Sequence, residues 1–242
     1  MPRYFIEVSY KGTGYSGFQV QQNANSIQAE VEKALKIYYR RDFQLTGSSR
    51  TDAGVHALQN FFHFDSPTPI DDQSYHLNAI LPSDIVVKKI YEVKEEAHCR
   101  FDAISREYRY NIYQQKDPFL EESAWYYPYA VNLELLQQAA QEIMNYTDFT
   151  SFSKRNTQVY TFECNIIASQ WSWEGERLIY YVKGNRFLRG MVRGLVGTML
   201  QVGREKITIK QFRSIIEAKD CTKADFAVPA HGLFLIKVNY PV

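Results

Sequence analysis

One aspartate stands in a stretch whose residue types could carry out covalent chemistry. Asp52 lies in residues 47–56, which read Gly-Ser-Ser-Arg-Thr-Asp-Ala-Gly-Val-His. The guanidinium of Arg50 would keep a partly desolvated carboxyl group ionised, and a carboxylate can attack carbon to form a covalent intermediate. A retaining glycosidase needs a second carboxyl group about 5–5.5 Å away, and residues 47–56 contain none. Because aspartate and glycine also favour turns, an ordinary loop is the alternative.

A glycine-rich stretch precedes this aspartate. Residues Gly12 to Gly17 match the pattern G-x-G-x-x-G directly after a predicted strand, as in dinucleotide-binding proteins. That binding mode requires a helix to open inside the motif, so that its N-terminus faces the pyrophosphate. Here the first predicted helix begins near Ser26, nine residues after Gly17. The spacing therefore favours a glycine-rich turn, and a nucleotide-dependent oxidoreductase is the weaker alternative.

Basic residues are concentrated in one segment. Residues 178–204 contain no acid and five basic side chains, namely Lys183, Arg186, Arg189, Arg193 and Arg204. A helix predicted over 186–202 would place the first three arginines on one face. Gly190, Gly194 and Gly197 would each cost this helix roughly 1 kcal/mol, which indicates close approach of a partner. RNA phosphate and another helix are the two candidates, and a solvated basic face is the simpler interpretation.

Aromatic residues alternate along one predicted strand. Tyr108 and Tyr110 are expected on one face of it and Arg109 on the other. Tyrosines on strands commonly belong to the core, whereas an exposed aromatic face can stack on an unstacked RNA base. The five histidines show no spacing typical of metal ligands and are predicted to be structural. His98 and Cys99 form no dyad, because neighbouring side chains on a strand point to opposite faces.

Length and composition indicate a globular chain. The 242 residues carry 28 basic and 27 acidic side chains, are 45% hydrophobic, and would form one large domain or two small ones. Cys99, Cys164 and Cys221 are far apart, which argues against a disulfide framework or a zinc site and favours a reducing compartment. Glu7 stands where a signal peptide needs apolar residues, and no run approaches 18 apolar residues. A soluble, cytoplasmic protein without a membrane segment is expected.

The predicted elements indicate an α+β fold. Residues 1–104 run strand-helix-strand-strand-helix-strand, the order of a split βαβ unit, with strands at 3–10, 42–46, 57–64 and 85–93, a helix capped by Ser26 and a helix at 73–80. Residues 105–242 contain a strand at 108–113, a helix at 135–144 preceded by Asn132, a hairpin of 159–173 and 177–183, helices at 186–202 and 209–218, and a strand at 232–238. We expect two ferredoxin-like, split-βαβ halves with mainly antiparallel sheets flanked by helices, forming subdomains 1–104 and 105–242.

The stretch around Asp52 resembles the signature of a known family. Residues 50–57, Arg-Thr-Asp-Ala-Gly-Val-His-Ala, are similar to the characteristic motif of the tRNA pseudouridine synthase A family. Similar stretches follow in order along the chain, at 15–19, 26–28, 78–85, 101–110, 148–152, 187–193 and 232–235. The resemblance implies the pseudouridine synthase fold, with the catalytic loop in a cleft.

The resemblance also implies an activity and a role for each candidate residue. Members of the family convert uridine to pseudouridine in tRNA, moving the ribose attachment from N1 to C5 of the base without metal or cofactor. Asp52 corresponds to the aspartate that forms the covalent intermediate, by attack on either C6 of the base or C1′ of the ribose. Tyr108 corresponds to the tyrosine that packs on the target base, and Arg193 to the arginine that pairs with the catalytic carboxylate. Arg50 is expected to displace and hold the target nucleotide, and Arg189 to contact the substrate.

The implied substrate is the anticodon arm of tRNA. The usual targets of the family are uridines 38, 39 and 40, and its members are homodimers that grip tRNA across both subunits. Since phosphate contacts release counterions, tRNA binding through the basic segment should weaken steeply with salt. A non-catalytic RNA-binding module remains as an alternative, because split βαβ units with aromatic strands also describe RNA-recognition domains.

Overall fold

The structure is a computed structural model, and it describes residues 1–155 and 159–241. The strands are β1 (Arg3–Tyr10), β2 (Thr46–Gly47), β3 (His56–Asp65), β4 (Ile85–Val93), β5 (Ser105–Tyr113), β6 (Trp125–Tyr126), β7 (Ile166–Glu174), β8 (Arg177–Gly184) and β9 (Leu233–Asn239). The α-helices are α1 (Ile27–Tyr39), α2 (Ser74–Ile80), α3 (Leu133–Glu142), α4 (Met191–Gly203) and α5 (Ile209–Glu217). These elements confirm the predicted α+β class.

The chain divides into two compact units. Unit 1 comprises Met1–Ile104 and Phe234–Val242, and unit 2 comprises Ser105–Leu233. The predicted second subdomain extends to residue 242, whereas β9 from Phe234 onwards belongs to unit 1, in which it pairs with β3. Residues 156–158 and 242 of that predicted subdomain lie outside the described residues.

Unit 1 is built on a sheet centred on β1 and β3. β1 pairs antiparallel with β3 and β4, β2 pairs antiparallel with β3, and β9 pairs in parallel with the start of β3. Ile6 illustrates the register, since it lies opposite Phe62 on one side and Ile90 on the other. The predicted cap of α1 is confirmed, because the Ser26 hydroxyl accepts the N–H of Ala29.

One predicted strand of unit 1 is largely wrong. Of residues 42–46, only Thr46 takes part in a strand. Phe43 and Leu45 are nevertheless buried. Their alternation with polar residues therefore reports which side chains enter the core and not a hydrogen-bonded ladder.

Unit 2 contains three antiparallel strands of the nine-stranded sheet, in the order β5-β8-β7. β7 and β8 form the predicted hairpin around Gly175, but its first strand begins at Ile166 and not at residue 159. The predicted cap of α3 is confirmed, since the Asn132 side chain accepts the N–H groups of Glu134 and Leu135. Among the described parts of the chain, no helix combines the length and the apolar character that crossing a membrane requires.

The predicted helix over 186–202 begins later than expected. α4 starts at Met191, because Gly190 adopts a left-handed φ of 75° immediately before it. Only glycine takes this conformation without a steric cost. Arg186 and Arg189 consequently precede the helix, and the predicted basic face that they would share with Arg193 is wrong.

Candidate active site

Asp52 opens a tight turn between β2 and β3. Its carbonyl oxygen accepts the N–H of Val55 at 3.1 Å, and Gly54 takes the left-handed φ of 78° at the third position of this turn. A type II turn has glycine at that position for the same reason. Asp52 is partly buried, whereas Arg50 is exposed. The turn therefore presents a carboxylate and a guanidinium two residues apart at the end of a sheet.

Buried polar contacts hold the loop just before Asp52. The hydroxyls of Thr51 and Tyr10 lie 2.7 Å apart, which ties the loop to β1. Asn60 on β3 donates to the carbonyl oxygen of Ser49 at 2.8 Å and to the Tyr10 hydroxyl at 3.1 Å. All four residues are buried. A buried hydrogen bond contributes about 1 kcal/mol net, and more is lost when one partner is removed.

The glycine-rich turn predicted from Gly12 to Gly17 packs against the same loop. A Cβ at Gly12 would lie 2.0 Å from the carbonyl oxygen of Val55, and one at Gly17 would lie 3.1 Å from that of Thr51. The N–H of Phe18 also donates to the Thr51 carbonyl at 3.1 Å. Since α1 begins only at Ile27, no helix N-terminus opens inside the motif, and the dinucleotide-binding alternative lacks its required geometry. Its glycines instead permit close backbone packing beneath the Asp52 loop.

Arg50 lines a pocket of about 220 Å³ in unit 1. Phe18, His98, Arg100 and Phe101 are also part of its wall. Sequence reasoning assigned no role to Arg100 and Phe101. Phe101 stands out because its side chain is exposed. The exposure of a side chain cannot be predicted from residue types alone.

Three candidate metal-ligand side chains, one of them from the wall of this pocket, lie close together. The ligand atoms of His63, His98 and Cys99 lie within 4.8 Å of one another, although the sequence showed no ligand spacing. The Nδ1 atom of His63 lies 3.2 Å from the Cys99 sulfur and accepts the Cys99 N–H. The Nδ1 atom of His98 accepts the N–H groups of Arg100 and Phe101. Both rings thus already brace the backbone, so their arrangement fits a structural role better than a metal site.

The electrostatics of this cluster agree with neutral imidazoles. Burial lowers the pKa of His63 to about 4, and repulsion from His98 when that ring is protonated and from Arg3 acts in the same direction. Burial also lowers the pKa of His98, although Asp102 acts in the opposite direction. Both rings are therefore uncharged near neutral pH.

Tyr108 lies on β5 of unit 2 and is 8% exposed. The ring of Phe187 meets it edge-on, with centroids 5.1 Å apart and planes at 81°. Such edge-to-face contacts fix the orientation of an aromatic ring. Tyr110 is completely buried and donates its hydroxyl to the carbonyl of Pro229 at 2.8 Å. Burial raises the pKa of Tyr110 well above its usual value, while the guanidinium of Arg193 opposes that rise.

Arg193 lies in the first turn of α4 and is half-buried. Its Nε donates to the carbonyl of Val228 at 2.6 Å, which fixes the side chain along that segment. Arg189 is exposed and precedes the helix, where its carbonyl accepts the N–H of Lys154 at 3.0 Å. The five predicted site residues thus form two groups, Asp52 and Arg50 in unit 1, and Tyr108, Arg189 and Arg193 in unit 2.

The glycines of α4 have a partner that the sequence did not predict. A Cβ at Gly197 would lie 2.3 Å from the carbonyl oxygen of Asp225, and one at Gly194 would lie 2.8 Å from the ring of Phe226. The close approach is made by an irregular segment of unit 2. The two candidates predicted for this position, RNA phosphate and another helix, are therefore wrong for these glycines.

Comparison with known proteins identifies the class of protein to which this chain belongs. The sequence pattern of the tRNA pseudouridine synthase family matches residues 6–102 and 139–241. The chain belongs to this family, whose members are isomerases that convert uridine to pseudouridine in tRNA.

Individual relatives agree over the whole chain. The tRNA pseudouridine synthase A of Parabacteroides distasonis is 46% identical over 244 residues, covering 100% of this chain and 97% of the relative. That of Bacteroides thetaiotaomicron is 43% identical, covering 100% of this chain and 91% of the relative. That of Staphylococcus aureus is 35% identical, covering 98% and 91%.

Proposed function

We propose that this protein isomerises uridines 38, 39 and 40 in the anticodon arm of tRNA, with Asp52 as the nucleophile and without a cofactor. The observation that carries the proposal is the Asp52 turn, whose carboxylate is partly exposed while the preceding residues are anchored to β1 and β3. Such anchoring holds a nucleophile ready for attack on carbon. The reaction exchanges one glycosidic bond for another within a single nucleotide, so it has no net oxidation or reduction.

The proposed sequence of bonds is balanced within the substrate. Asp52 forms a bond to C6 of the base or to C1′ of the ribose, and the bond between N1 and C1′ breaks. The base turns so that C5 bonds to C1′, after which Asp52 is released. The proton on C5 leaves and N1 gains one. Because the base must leave the stack first, binding has to offset a few kcal/mol of unstacking.

The proposed roles of the other candidate residues follow from their chemistry and from the resemblance to the family. Tyr108, held edge-on by Phe187, would pack on the target base. Arg193 would be the partner of the catalytic carboxylate. Exposed Arg50 would displace and hold the target nucleotide, and exposed Arg189 would contact phosphate.

We also propose a homodimer that grips tRNA across both subunits, as the resemblance implies. Its place would be the cytoplasm, since the cysteines Cys99, Cys164 and Cys221 are free thiols and the substrate is tRNA.

The test compares wild-type protein with Asp52→Asn on an unmodified tRNA transcript, mapping pseudouridine by primer stops at carbodiimide adducts. Wild type should produce stops only at positions 38–40, and Asp52→Asn should reduce their rate at least about 1,000-fold, because the nucleophile is lost. Asp42→Asn is the matched control, since Asp42 is an exposed surface residue with its side chain 82% accessible. Wild type, Asp52→Asn and Asp42→Asn should all bind tRNA with similar affinity. Stops from Asp52→Asn would refute the nucleophile, and stops elsewhere in the tRNA would refute the proposed target.

A further inference from the structure

The pocket beside Arg50 contains an aromatic side chain that is exposed and not packed in the hydrophobic core. Phe101 is 73% exposed, although it is large and apolar. Its ring lies against that of His98, with centroids 4.3 Å apart, and the guanidinium of Arg100 lies 5.6 Å from its centroid. All three side chains line the pocket.

The backbone beneath this aromatic ring is fixed by a closed set of hydrogen bonds. The N–H of His98 donates to the carboxylate of Asp102 at 2.7 Å, and the N–H of Asp102 returns to the carbonyl of His98 at 3.0 Å. Between them, the carbonyl of Cys99 accepts the hydroxyl of Tyr240 at 2.6 Å. Together with the N–H groups that His98 Nδ1 accepts, these bonds preorganise the turn that displays Phe101.

The pocket is continuous with the loop that carries Asp52. Phe18, which lines it, stacks on Phe62 of β3 with centroids 4.4 Å apart. The N–H of Phe18 donates to Thr51, the residue before Asp52. Arg50, two residues before Asp52, supplies another part of the wall. A group bound here would therefore lie close to the loop that carries Asp52.

The chemistry of the wall suits a nucleotide. Its described residues provide two guanidinium groups and an exposed aromatic face, and no carboxylate is among them. Aromatic side chains stack on bases of any sequence, and arginine binds phosphate in a bidentate manner. The volume of about 220 Å³ is below the roughly 300–1,000 Å³ of sites for drug-sized ligands, so it suits one stacked base with its phosphate outside the pocket better than a whole dinucleotide.

We propose that this pocket is a second nucleotide subsite, which holds a nucleotide of the tRNA flanking the target uridine. Phe101 stacks on the base of that nucleotide and Arg100 holds its phosphate, while the neighbouring Arg50 holds the target nucleotide. The inference rests on the proposed function, because it assumes that the target uridine reacts at Asp52.

The first experiment measures tRNA affinity by fluorescence anisotropy, which needs no turnover. Phe101→Ala should weaken binding roughly 5-fold to 150-fold, the range for loss of one base–aromatic stack, while Phe101→Trp should stay within about 2-fold of wild type. Tyr75→Ala is the matched control, because Tyr75 is 81% exposed and also lies against a histidine ring, that of His76. A Phe101→Ala protein that binds like Tyr75→Ala would overturn the proposal.

The second experiment identifies the stacked base with a double-mutant cycle. A transcript with a single anticodon-arm uridine at position 39 carries an abasic site at 38 or at 40. At one of these positions the abasic site should weaken binding to wild type, yet cause no further loss with Phe101→Ala. Independent, additive losses at both positions would refute stacking on a flanking nucleotide. Tight binding of free uridine monophosphate that depends on Phe101 would refute a tRNA subsite.

The two proposals fail in different ways. If wild-type protein forms no pseudouridine at 38–40 but Phe101 and one flanking base remain coupled, the proposed reaction fails and the subsite stands. If wild type is active and Phe101→Ala binds and reacts normally, only the subsite fails.

Arg100→Gln should reduce the slope of log affinity against log salt by about 1, as expected for one lost phosphate contact, whereas Arg40→Gln on the end of α1 should leave it unchanged.

Discussion

The Asp52 loop and the approach to α4 are both irregular segments that present an arginine, but they are packed in different ways. Against the Asp52 loop, the crowding atom at Gly12 is a backbone oxygen, that of Val55, at 2.0 Å. At the approach to α4, the crowding atoms at Gly190 belong to the side chain of Lys154, the nearest at 2.9 Å. A backbone oxygen in a braced turn cannot withdraw, whereas a lysine stem can change rotamer. The loop that carries the proposed nucleophile is therefore the more rigid of the two.

The largest effect on stability is expected for Gly12→Ala, which tests whether the Asp52 loop is rigid. The new methyl group must displace Val55 and with it the turn that Asp52 opens, so we expect a loss of about 3 kcal/mol in the free energy of unfolding and loss of activity. Gly14→Ala is the matched control, because the nearest atom to its Cβ would be the Asp84 carboxylate at 4.0 Å. Urea denaturation of both variants measures the difference. Equal stabilities would show that the Asp52 loop can move aside.

Acid should destabilise unit 1, which carries the Asp52 loop, through the protonation of His63. Because the pKa of His63 falls from 6.5 in the unfolded chain to about 4 in the folded one, the unfolded state binds the proton first as pH falls. The resulting stability is complete above pH 6.5 and is lost towards pH 4, about 3 kcal/mol in all.

Denaturation at several pH values, for wild type and His63→Gln, isolates this contribution. The difference in unfolding free energy between the two proteins should shrink steadily from pH 6.5 to pH 4. A difference that stays constant with pH would contradict a neutral, buried His63.

A smaller effect is expected from the buried hydroxyl pair that ties the loop to β1. Tyr10→Phe removes one partner of Thr51 and should cost about 1–2 kcal/mol, because a buried hydroxyl loses a hydrogen bond. Thr51→Val should cost a similar amount, and the double variant should cost less than the sum. Strict additivity would mean that the two hydroxyls do not stabilise each other.

The smallest effect is expected at Gly190. Alanine there should cost about 1 kcal/mol for its left-handed backbone and little more, since Lys154 can move. Gly175→Ala measures the backbone cost alone, because its φ is 61° and no described atom lies within 4 Å of its Cβ. Thermal unfolding of the two variants should therefore agree within a few tenths of a kcal/mol. A Gly190→Ala loss as large as that of Gly12→Ala would remove the contrast between the two segments.

Local signals in the sequence predicted much of this structure. The side chains of Ser26 and Asn132 cap the helices that they were predicted to precede, because capping depends on neighbouring residues only. The start of α4 was missed because Phe187 and Leu188 continue its apolar spacing, while the left-handed turn at Gly190 interrupts the backbone. A glycine inside an apolar pattern does not reveal the sign of its φ.

Features that depend on distant residues were beyond the sequence. His63 and Cys99 are 36 positions apart, and only the fold of unit 1 brings their side chains together. The glycine-rich turn from Gly12 to Gly17 could be recognised as a turn, but its contact with the Asp52 loop could not. Residue types identified Asp52 as a candidate nucleophile, whereas tertiary packing determines how firmly it is held.

The pairing of β9 with β3 has a consequence for how the protein is made. The ribosome completes β3 at Asp65 but reaches β9 only at Leu233, roughly 10 to 30 s later at 5–20 residues per second. During that interval His56 and Ala57 lack the neighbours that Phe234 and Leu235 later provide. An unpaired strand edge invites contact with other nascent chains, so this stretch is exposed to misassembly until β9 has been synthesised. It directly follows the Asp52 turn, which therefore gains this support only after unit 2 has been synthesised.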